Sequence, residues 1–531
     1  MNKFTATTIP FSATHQFSEL FLDYVSGNKK LESFYTFPAN DEGYPAAADQ
    51  LKYDETIRKD VVAAIREQYI QTGISIDESL IKKLEMPGAM TVCTGHQLCL
   101  FTGPLYFIFK IITTIRVAEE QSKKTGKTIV PVYWMATEDH DFDEISSVNL
   151  YGKTISWKTE AGGAVGRLRT DSLETVLAEL KVVMGVNEAA DKLFSIISKA
   201  YFPGRTLAQA TREFVHTLFG GKVLIIDPDD ARLKKHLVPV LKKDVFEHTS
   251  KKFVLEVCGK LADAGFAIQV NPRSINVFYM KDNMRERIEE KDGKFHVLNS
   301  AISFTKEELN NEMDNYPENF SPNVVLRPMY QQIILPNIAY IGGPGEIAYW
   351  LEYKLMFEGF NIPFPLLQPR NFALILEKQV EEKINKLGLQ AEDFFGDVEE
   401  LIKTFVKKIS GDSLSMEAEK ATIRTVFESL RDKMIAADPT LKGAADAELQ
   451  KQINGIENLE GKLLKASKQK QETSIAQIRK IREKILPAGM LQERYENFIP
   501  FYLKYGERLI AGLSAEFIFP VNGLLMLTEE Q

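Results

Sequence analysis

With 531 residues, the chain is too long for one ordinary hydrophobic core and calls for two or three domains. Hydrophobic residues at 44% and charged residues at 26% are the balance of a globular protein, and with a net charge of −8 nothing basic enough stands out to imply a nucleic-acid partner, which demands a concentrated Lys/Arg surface. Cys93, Cys99 and Cys258 are too few for a disulfide framework, no apolar run reaches membrane-spanning length, and Met1–Ser12 lacks a signal-peptide core, so a cytoplasmic protein with no membrane partner is expected.

Up to Arg370 the chain reads as α/β. Ala89–Cys93 is predicted as a strand, followed by a turn at Thr94-Gly95-His96-Gln97. A helix starts near Pro104, whose ring suits a first helical turn, and runs to Lys124 before Gly126. Ile129–Met135 (IVPVYWM) is a continuous apolar run, the pattern of a strand buried on both faces. Val223–Ile226 repeats it and ends in Asp227-Pro228-Asp229-Asp230. Strand, helix and strand at this spacing form a βαβ unit and predict a parallel sheet. Asn276–Met280 and Phe295–Leu298, around the turn signal Asp292-Gly293, read as a small antiparallel insertion on that core. Asn337–Ile341 is a further strand, leading into Gly342-Gly343-Pro344-Gly345-Glu346 and a helix through Phe357.

From Glu377 to Leu486 aromatics thin out and Lys, Glu, Gln and Ala dominate. Met416, Ile423, Leu430 and Ala437 recur every seven residues, as do Phe427, Met434 and Leu441, which is a coiled-coil seam. Asp438-Pro439 opens a new helix by N-cap and N1 chemistry, predicted to continue to Leu486. Such a helix is about 70 Å long, so it is expected to project and find a partner, its seam weakening between Ser467 and Ser474. Pro487–Gln531 regains aromatics (Tyr495, Phe498, Phe501, Tyr502, Tyr505) and is expected to return to the core. The expected division is a core with insertions over 1–375, a helical coiled-coil domain over 376–489 and a returning segment over 490–531.

Three polar motifs fall between a predicted strand and a predicted helix, where open α/β folds bind ligands. In the first, Thr94, Gly95, His96 and Gln97 stand with Gly103 before a helix start. Glycines allow an anion close to the backbone, the helix offers unpaired N–H groups, and His96 could donate a hydrogen bond or a proton. A structural turn is the plain alternative, and the GK[ST] ending of a P-loop is absent. In the second, Glu138, Asp139, His140 and Asp141 with Asp143 and Glu144 can hold a divalent cation, orient an imidazole or bind an amine. Acids gathered for a helix dipole explain the carboxylates but not the histidine. In the third, Gly343 and Gly345 at a helix start suit an anion or nucleotide, against a tight turn with Glu346 in the first helical turn. Nearby Asn323 and Arg327 could grip a carboxylate, against a surface salt bridge for the arginine. Cys93-x2-His96-x2-Cys99 has a zinc-like spacing, but supplies three ligands that a strand end and a turn hold apart; the cysteines read as small buried apolar residues and no metal site is predicted.

The strings TGHQ…FTGPLY, VPVYWMATEDHDFDEI, SPNVVLRP…LP…IGGPGEIAYW and LQERYENFIPFYLKYGERL, in that order and spread over nearly the whole chain, resemble the bacillithiol biosynthesis cysteine-adding enzyme family. The resemblance implies an α/β, Rossmann-like core similar to nucleotidyl transferases and class I aminoacyl-tRNA synthetases. It also implies a coiled-coil domain that mediates a homodimer, nucleotide binding near that coiled coil, and the last step of bacillithiol synthesis, in which cysteine is added to glucosaminyl-malate. Amide formation from a free carboxylate is uphill in water, so ATP or another adenine nucleotide, with Mg2+, is the expected activator. On this reading Thr94, Gly95, Gln97, Gly103, Gly343, Gly345 and Glu346 line the nucleotide or substrate-anion site. Asn323 and Arg327 hold a carboxylate, and Glu138, Asp139, His140 and His96 supply the catalytic groups. A KMSKS-like loop is not evident, so adenylation stands as an analogy of fold. The second reading is a non-catalytic accessory protein that binds a nucleotide or the thiol product and tethers a pathway partner through its coiled coil.

Overall fold

The computed structural model describes residues 4–76, 78–410 and 415–529. They divide into two compact units, one of residues 4–12, 16–375 and 490–529, the other of residues 13–15 and 376–489.

In the first unit a parallel sheet is built from β1 (Met90–His96), β2 (Ile129–Met135), β3 (Leu224–Ile226), β4 (Asn337–Gly342) and β5 (Leu366–Pro369). The order across it is β5-β4-β1-β2-β3. The chain winds outward from β1 to β3, then returns to the other side of β1. The order therefore reverses between β1 and β4, and a crevice opens at their carboxyl ends. Every residue of β2 and β4 is buried, which is why β2 reads as an unbroken apolar run. Helix α1 (Tyr106–Thr125) links β1 to β2 and ends at Gly126, whose φ of +68° suits a residue with no Cβ. Its Val117 and Ala118 pack with Val92, Ile129, Ile338 and Leu366 beneath the sheet.

β1 runs three residues further than expected. Thr94, Gly95 and His96 look turn-forming in isolation, but β2 pairs with them as far as His96 opposite Met135. The turn comes later, at Phe101, Thr102 and Gly103, all at positive φ. The side-chain amide of Asn497 donates to the carbonyls of Phe101 and Gly103, and the Glu496 carbonyl accepts the Leu105 N–H at 2.7 Å. The late segment thus fastens the turn of the first motif. Its last strand, Gly523–Glu529, pairs antiparallel with Phe4–Pro10 and lies between that strand and Phe372–Leu376.

The insertion between β3 and β4 is a meander of Val277–Lys281, Met284–Lys291 and Lys294–Val297, edged by Ser303–Phe304 and Phe320–Pro322. Its middle strand (MRERIEEK) is too rich in charge to be seen as a strand in the sequence. Helix α2 (Pro344–Leu351) stops short of Phe357, and the chain resumes as Lys354–Gly359. At the break, Glu352 accepts the backbone N–H groups of Gln269 at 2.7 Å and Val270 at 3.1 Å.

In the second unit, α3 (Glu417–Ala437) turns at Asp438, whose carboxylate accepts the Thr440 N–H at 2.9 Å. The long helix read from Pro439 to Leu486 is in fact two, α4 (Lys442–Lys470) and α5 (Glu472–Ile485), parted at Gln471 with φ −104° and ψ 19°. α4 folds back along α3: Lys420 reaches Glu460 at 2.8 Å and Arg431 reaches Asp446 at 3.7 Å. The seam therefore finds a partner within its own chain, while Leu430 stays exposed. Residues 411–414, within the region read as helical, lie outside the described residues. Among the described residues no helix is long and apolar enough to cross a membrane.

Candidate active site

The carboxyl ends of the five parallel strands, with the meander, enclose a cavity of about 1030 Å³ lined by seven cationic side chains and three carboxylates. That imbalance in a low-dielectric recess favours anionic ligands.

At the β1–β4 junction Lys110 is buried, although it lies in the apolar run of α1. It donates to the Gly95 carbonyl and to both carboxylate oxygens of Glu346, at 2.8 and 2.7 Å. Glu346 also accepts the Tyr340 hydroxyl and, at 2.9 Å, the Gly343 N–H. Burial alone would raise the Glu346 carboxyl, but the Lys110 ammonium and these hydrogen bonds hold it below the usual range. Glu346 is thus committed to locking α2 onto α1.

Beside this pair Arg327 gives Nη1 to Gln331 at 3.2 Å and also engages the Tyr349 hydroxyl, while its buried Nη2 has no close partner. Arg370 gives Nη2 to Glu493 at 2.6 Å, and its Nε is likewise buried without a partner. A Cβ on Gly343 would lie 3.6 Å from that Nε, and one on Gly95 would lie 3.4 Å from Arg327 Nη1. Nothing stands within 4 Å of a Cβ on Gly345, so the N-terminal turn of α2 is open. Two guanidiniums beside glycine backbone, with the open helix N-terminus, form a cradle for a carboxylate or phosphate.

The second motif also lines the cavity. Glu138 is buried and paired with Lys234 at 2.8 Å; Lys234 also meets Asp229 at 3.0 Å, which Arg167 grips at 2.7 and 2.9 Å. Asp139 accepts the Gln97 side-chain amide at 2.9 Å and the His140 N–H at 2.8 Å. Gln97 also donates to Glu144. Burial pushes the Asp139 carboxyl up, but the adjacent His140 ring and N–H, the Gln97 amide and the Arg285 charge outweigh it and hold it far below the usual range. Asp139 is therefore a fixed negative charge and a feeble base. His96, packed against Tyr106 and Phe107, is drawn down to about 3 by burial and then by the Lys110 charge. Its imidazole is neutral and scarcely basic, so the proton-transfer role expected of it is not supported by its surroundings.

Not every residue singled out from sequence reaches the cavity. Thr94 is fully buried and gives its hydroxyl to the Ile341 carbonyl at 2.9 Å, which ties β1 to β4. Gly103 shapes the following turn. Asn323 lines the cavity, but its amide serves Asn276 at 3.0 Å and the Val325 N–H at 2.9 Å. Lys110, Arg285, Arg370 and Arg494 line the cavity and belong to none of the three motifs. Lys110 carried one visible signal, a single charge inside FIFKII. Cys93 and Cys99 are thiols that burial pushes up to about 12. Among the described residues no three His, Cys, Asp or Glu side chains are grouped to hold a metal.

The wall holding Glu138–His140 rests on Gly166, whose N–H donates to the Thr137 carbonyl at 2.8 Å. A Cβ there would fall 2.5 Å from Thr137 Cβ and 2.9 Å from its Cα. Gly166→Ala is expected to displace this wall and cost about 1–3 kcal/mol of stability. Urea denaturation checks it, and an unchanged midpoint would show that the wall yields freely.

Residues 4–371 match the family model described as "Bacillithiol biosynthesis BshC, N-terminal Rossmann-like domain", and residues 373–525 match its "C-terminal coiled-coil domain". Three relatives that carry the name "Putative cysteine ligase BshC" are similar along nearly their whole length. The one from Christiangramia forsetii is 41% identical over 517 residues, 96% of each chain. That from Flavobacterium johnsoniae is 40% identical over 509 residues, 94% of this chain and 96% of its own. That from Bacillus cereus is 28% identical over 507 residues, 91% of this chain and 93% of its own. With its Rossmann-like core and its coiled-coil domain both matched, the chain belongs to the bacillithiol biosynthesis BshC family.

Proposed function

We propose that this protein is a cytoplasmic ligase that joins the carboxyl group of cysteine to the amine of glucosaminyl-malate, the last step of bacillithiol synthesis, with ATP or another adenine nucleotide as activator. The observation that carries this reading is the polarity of the cavity, which the Arg327 and Arg370 guanidiniums and the ionised Asp139 all line. Glucosaminyl-malate has carboxylates for the guanidiniums and an amine for Asp139. The relatives' printed name, cysteine ligase, supports the same reaction class.

A nucleotide supplies the activation that a free carboxylate lacks. The open turn at Gly343 and Gly345, at the N-terminus of α2, is the part of the site that suits its phosphates. Mg2+ bound to phosphates needs only one or two protein carboxylates, and Gln97 gathers Asp139 and Glu144 side by side. The chain's own residues bind and orient: the cradle fixes the anionic substrate, Asp139 attracts the ammonium, and the buried walls exclude water from the activated carboxyl. A homodimer through the second unit fits the exposed Val426, Leu430 and Leu459 on α3 and α4.

Purified protein given cysteine, glucosaminyl-malate and Mg-ATP is expected to yield the thiol product with an equivalent of AMP or ADP, followed together by mass spectrometry. AMP identifies activation as an adenylate and ADP as an acyl phosphate. Nucleotide bound without product would instead favour the accessory reading.

A further inference from the structure

We infer that Arg285, carried by the insertion meander, fixes the neutral ring of His140 with its proton on Nε2, so that His140 meets an anionic oxygen of the substrate as a hydrogen-bond donor and does not serve as a proton acceptor. The inference rests on the proposed reaction only for the identity of the substrate.

Arg285 Nη1 lies 2.9 Å from His140 Nδ1. A guanidinium nitrogen can only donate, so Nδ1 must present its lone pair, and the proton of the neutral ring is left on Nε2. The competing partner is Asp139, whose Oδ1 is 3.7 Å from Nδ1. That is beyond hydrogen-bond reach, and the same oxygen already accepts the His140 N–H at 2.8 Å. An imidazolium would set an N–H against the guanidinium and add like charge at that short separation.

Arg285 has little freedom to withdraw. Its Nε donates to Ser321 Oγ at 3.1 Å and its Nη2 to the Pro322 carbonyl at 3.2 Å. The guanidinium lies 3.9 Å from the centre of the Phe278 ring, and that ring also packs against His140 at 5.4 Å. The side chain is buried, whereas His140 keeps 47% of its side chain exposed and lines the cavity. Arg285 is thus a positioning residue, and His140 is the group that touches substrate. The oxygen it serves is a substrate carboxylate or the oxyanion formed as the amine attacks the activated acyl carbon. As the C–N bond forms, the acyl C–O bond breaks, the activating phosphate or nucleotide leaves with its electron pair, and the amine proton is released to water.

The test is nitrogen NMR of the full-length protein with 15N-labelled histidine at neutral pH, His140 being assigned through His140→Gln. The expected spectrum shows His140 protonated at Nε2, and mixed tautomers in Arg285→Met. A wild-type ring protonated at Nδ1, or at both nitrogens, would overturn the inference, as would an Arg285→Met spectrum identical to wild type. In turnover, His140→Ala is expected to lose about 10²–10³-fold, the scale of one missing oxyanion donor. His140→Gln, which keeps an N–H donor and cannot accept a proton through it, recovers most of that. Loss confined to KM points to a substrate carboxylate, and loss in kcat to the oxyanion. Full activity in His140→Ala removes the donor role. Absence of product from the wild type would sink the proposed reaction, while the tautomer is still decided by NMR.

Discussion

Lys110→Met is expected to lower the unfolding free energy by about 3–5 kcal/mol and to abolish anion binding in the cavity. The ammonium is 1% exposed and holds three acceptors, one on β1 and two on α2. Methionine matches its length and packs well in an apolar helix, so the loss is electrostatic and not a cavity effect. It strands the Glu346 carboxylate, which keeps hydrogen bonds from Tyr340 and Gly343 but loses its ion-pair partner. Glu346 retains 23% of its side-chain exposure, and water reaching it sets the cost at the lower end of that range. The double variant Lys110→Met/Glu346→Gln removes the stranded charge and is expected to regain most of the stability without regaining activity, because the cradle stays distorted. Urea midpoints of the four proteins in this cycle measure the coupling. Additive losses would show that the pair does not join the two elements.

The same pair shows why parts of this site were legible in the sequence and others were not. Gly342–Glu346 was found as a motif because a glycine turn before a helix is a local pattern. What Glu346 does there depends on Lys110, 236 residues away in sequence, and no local window contains that relation. Read alone, Glu346 is a ligand-binding acid; in the fold it is a structural anchor. β2 was bounded to the residue because burial on both faces leaves a continuous apolar string. The sequence alone ends β1 too early because Thr94-Gly95-His96 carries turn chemistry that pairing with β2 overrides. Likewise Gln471 breaks the long helix without a glycine or proline to announce it. Arg285 lay hidden for a third reason: in a hairpin rich in charge, nothing in the sequence distinguishes the buried arginine from Arg287, which lines the same cavity but stays partly exposed.

Lys234→Met should be as damaging, with a distinctive dependence on pH. The ammonium is fully buried between Glu138 and Asp229, each 8% exposed. Burial raises the Asp229 carboxyl, but Lys234 and Arg167 overcome it and bring it down to about 2. A carboxyl lowered on folding stabilises the native state above the ordinary carboxylate range and loses that contribution as pH falls toward its folded value. Arg167 keeps Asp229 ionised after the substitution, so the greater change falls on Glu138. Its carboxyl is already raised, chiefly by burial, with Lys234 opposing and Asp229 reinforcing the shift. Without Lys234 the rise is unopposed at that short range. A carboxyl raised on folding contributes stability at low pH and forfeits it as pH climbs through the folded value, the reverse of Asp229. The variant is therefore expected to lose about 3–5 kcal/mol at pH 8 and to recover part of it in acid, at pH 5.5, in the direction that protonation of Glu138 favours. Urea midpoints of wild type and variant at the two pH values decide it: a gap that narrows in acid supports the buried pair, and one that holds or widens shows that Glu138 does not depend on Lys234 for its charge. A protonated Glu138 would also remove one of the three carboxylates lining the cavity and shift its balance further toward anions. Lys234, which does not itself line the cavity, thereby helps set the charge of the wall that Asp139 and His140 share.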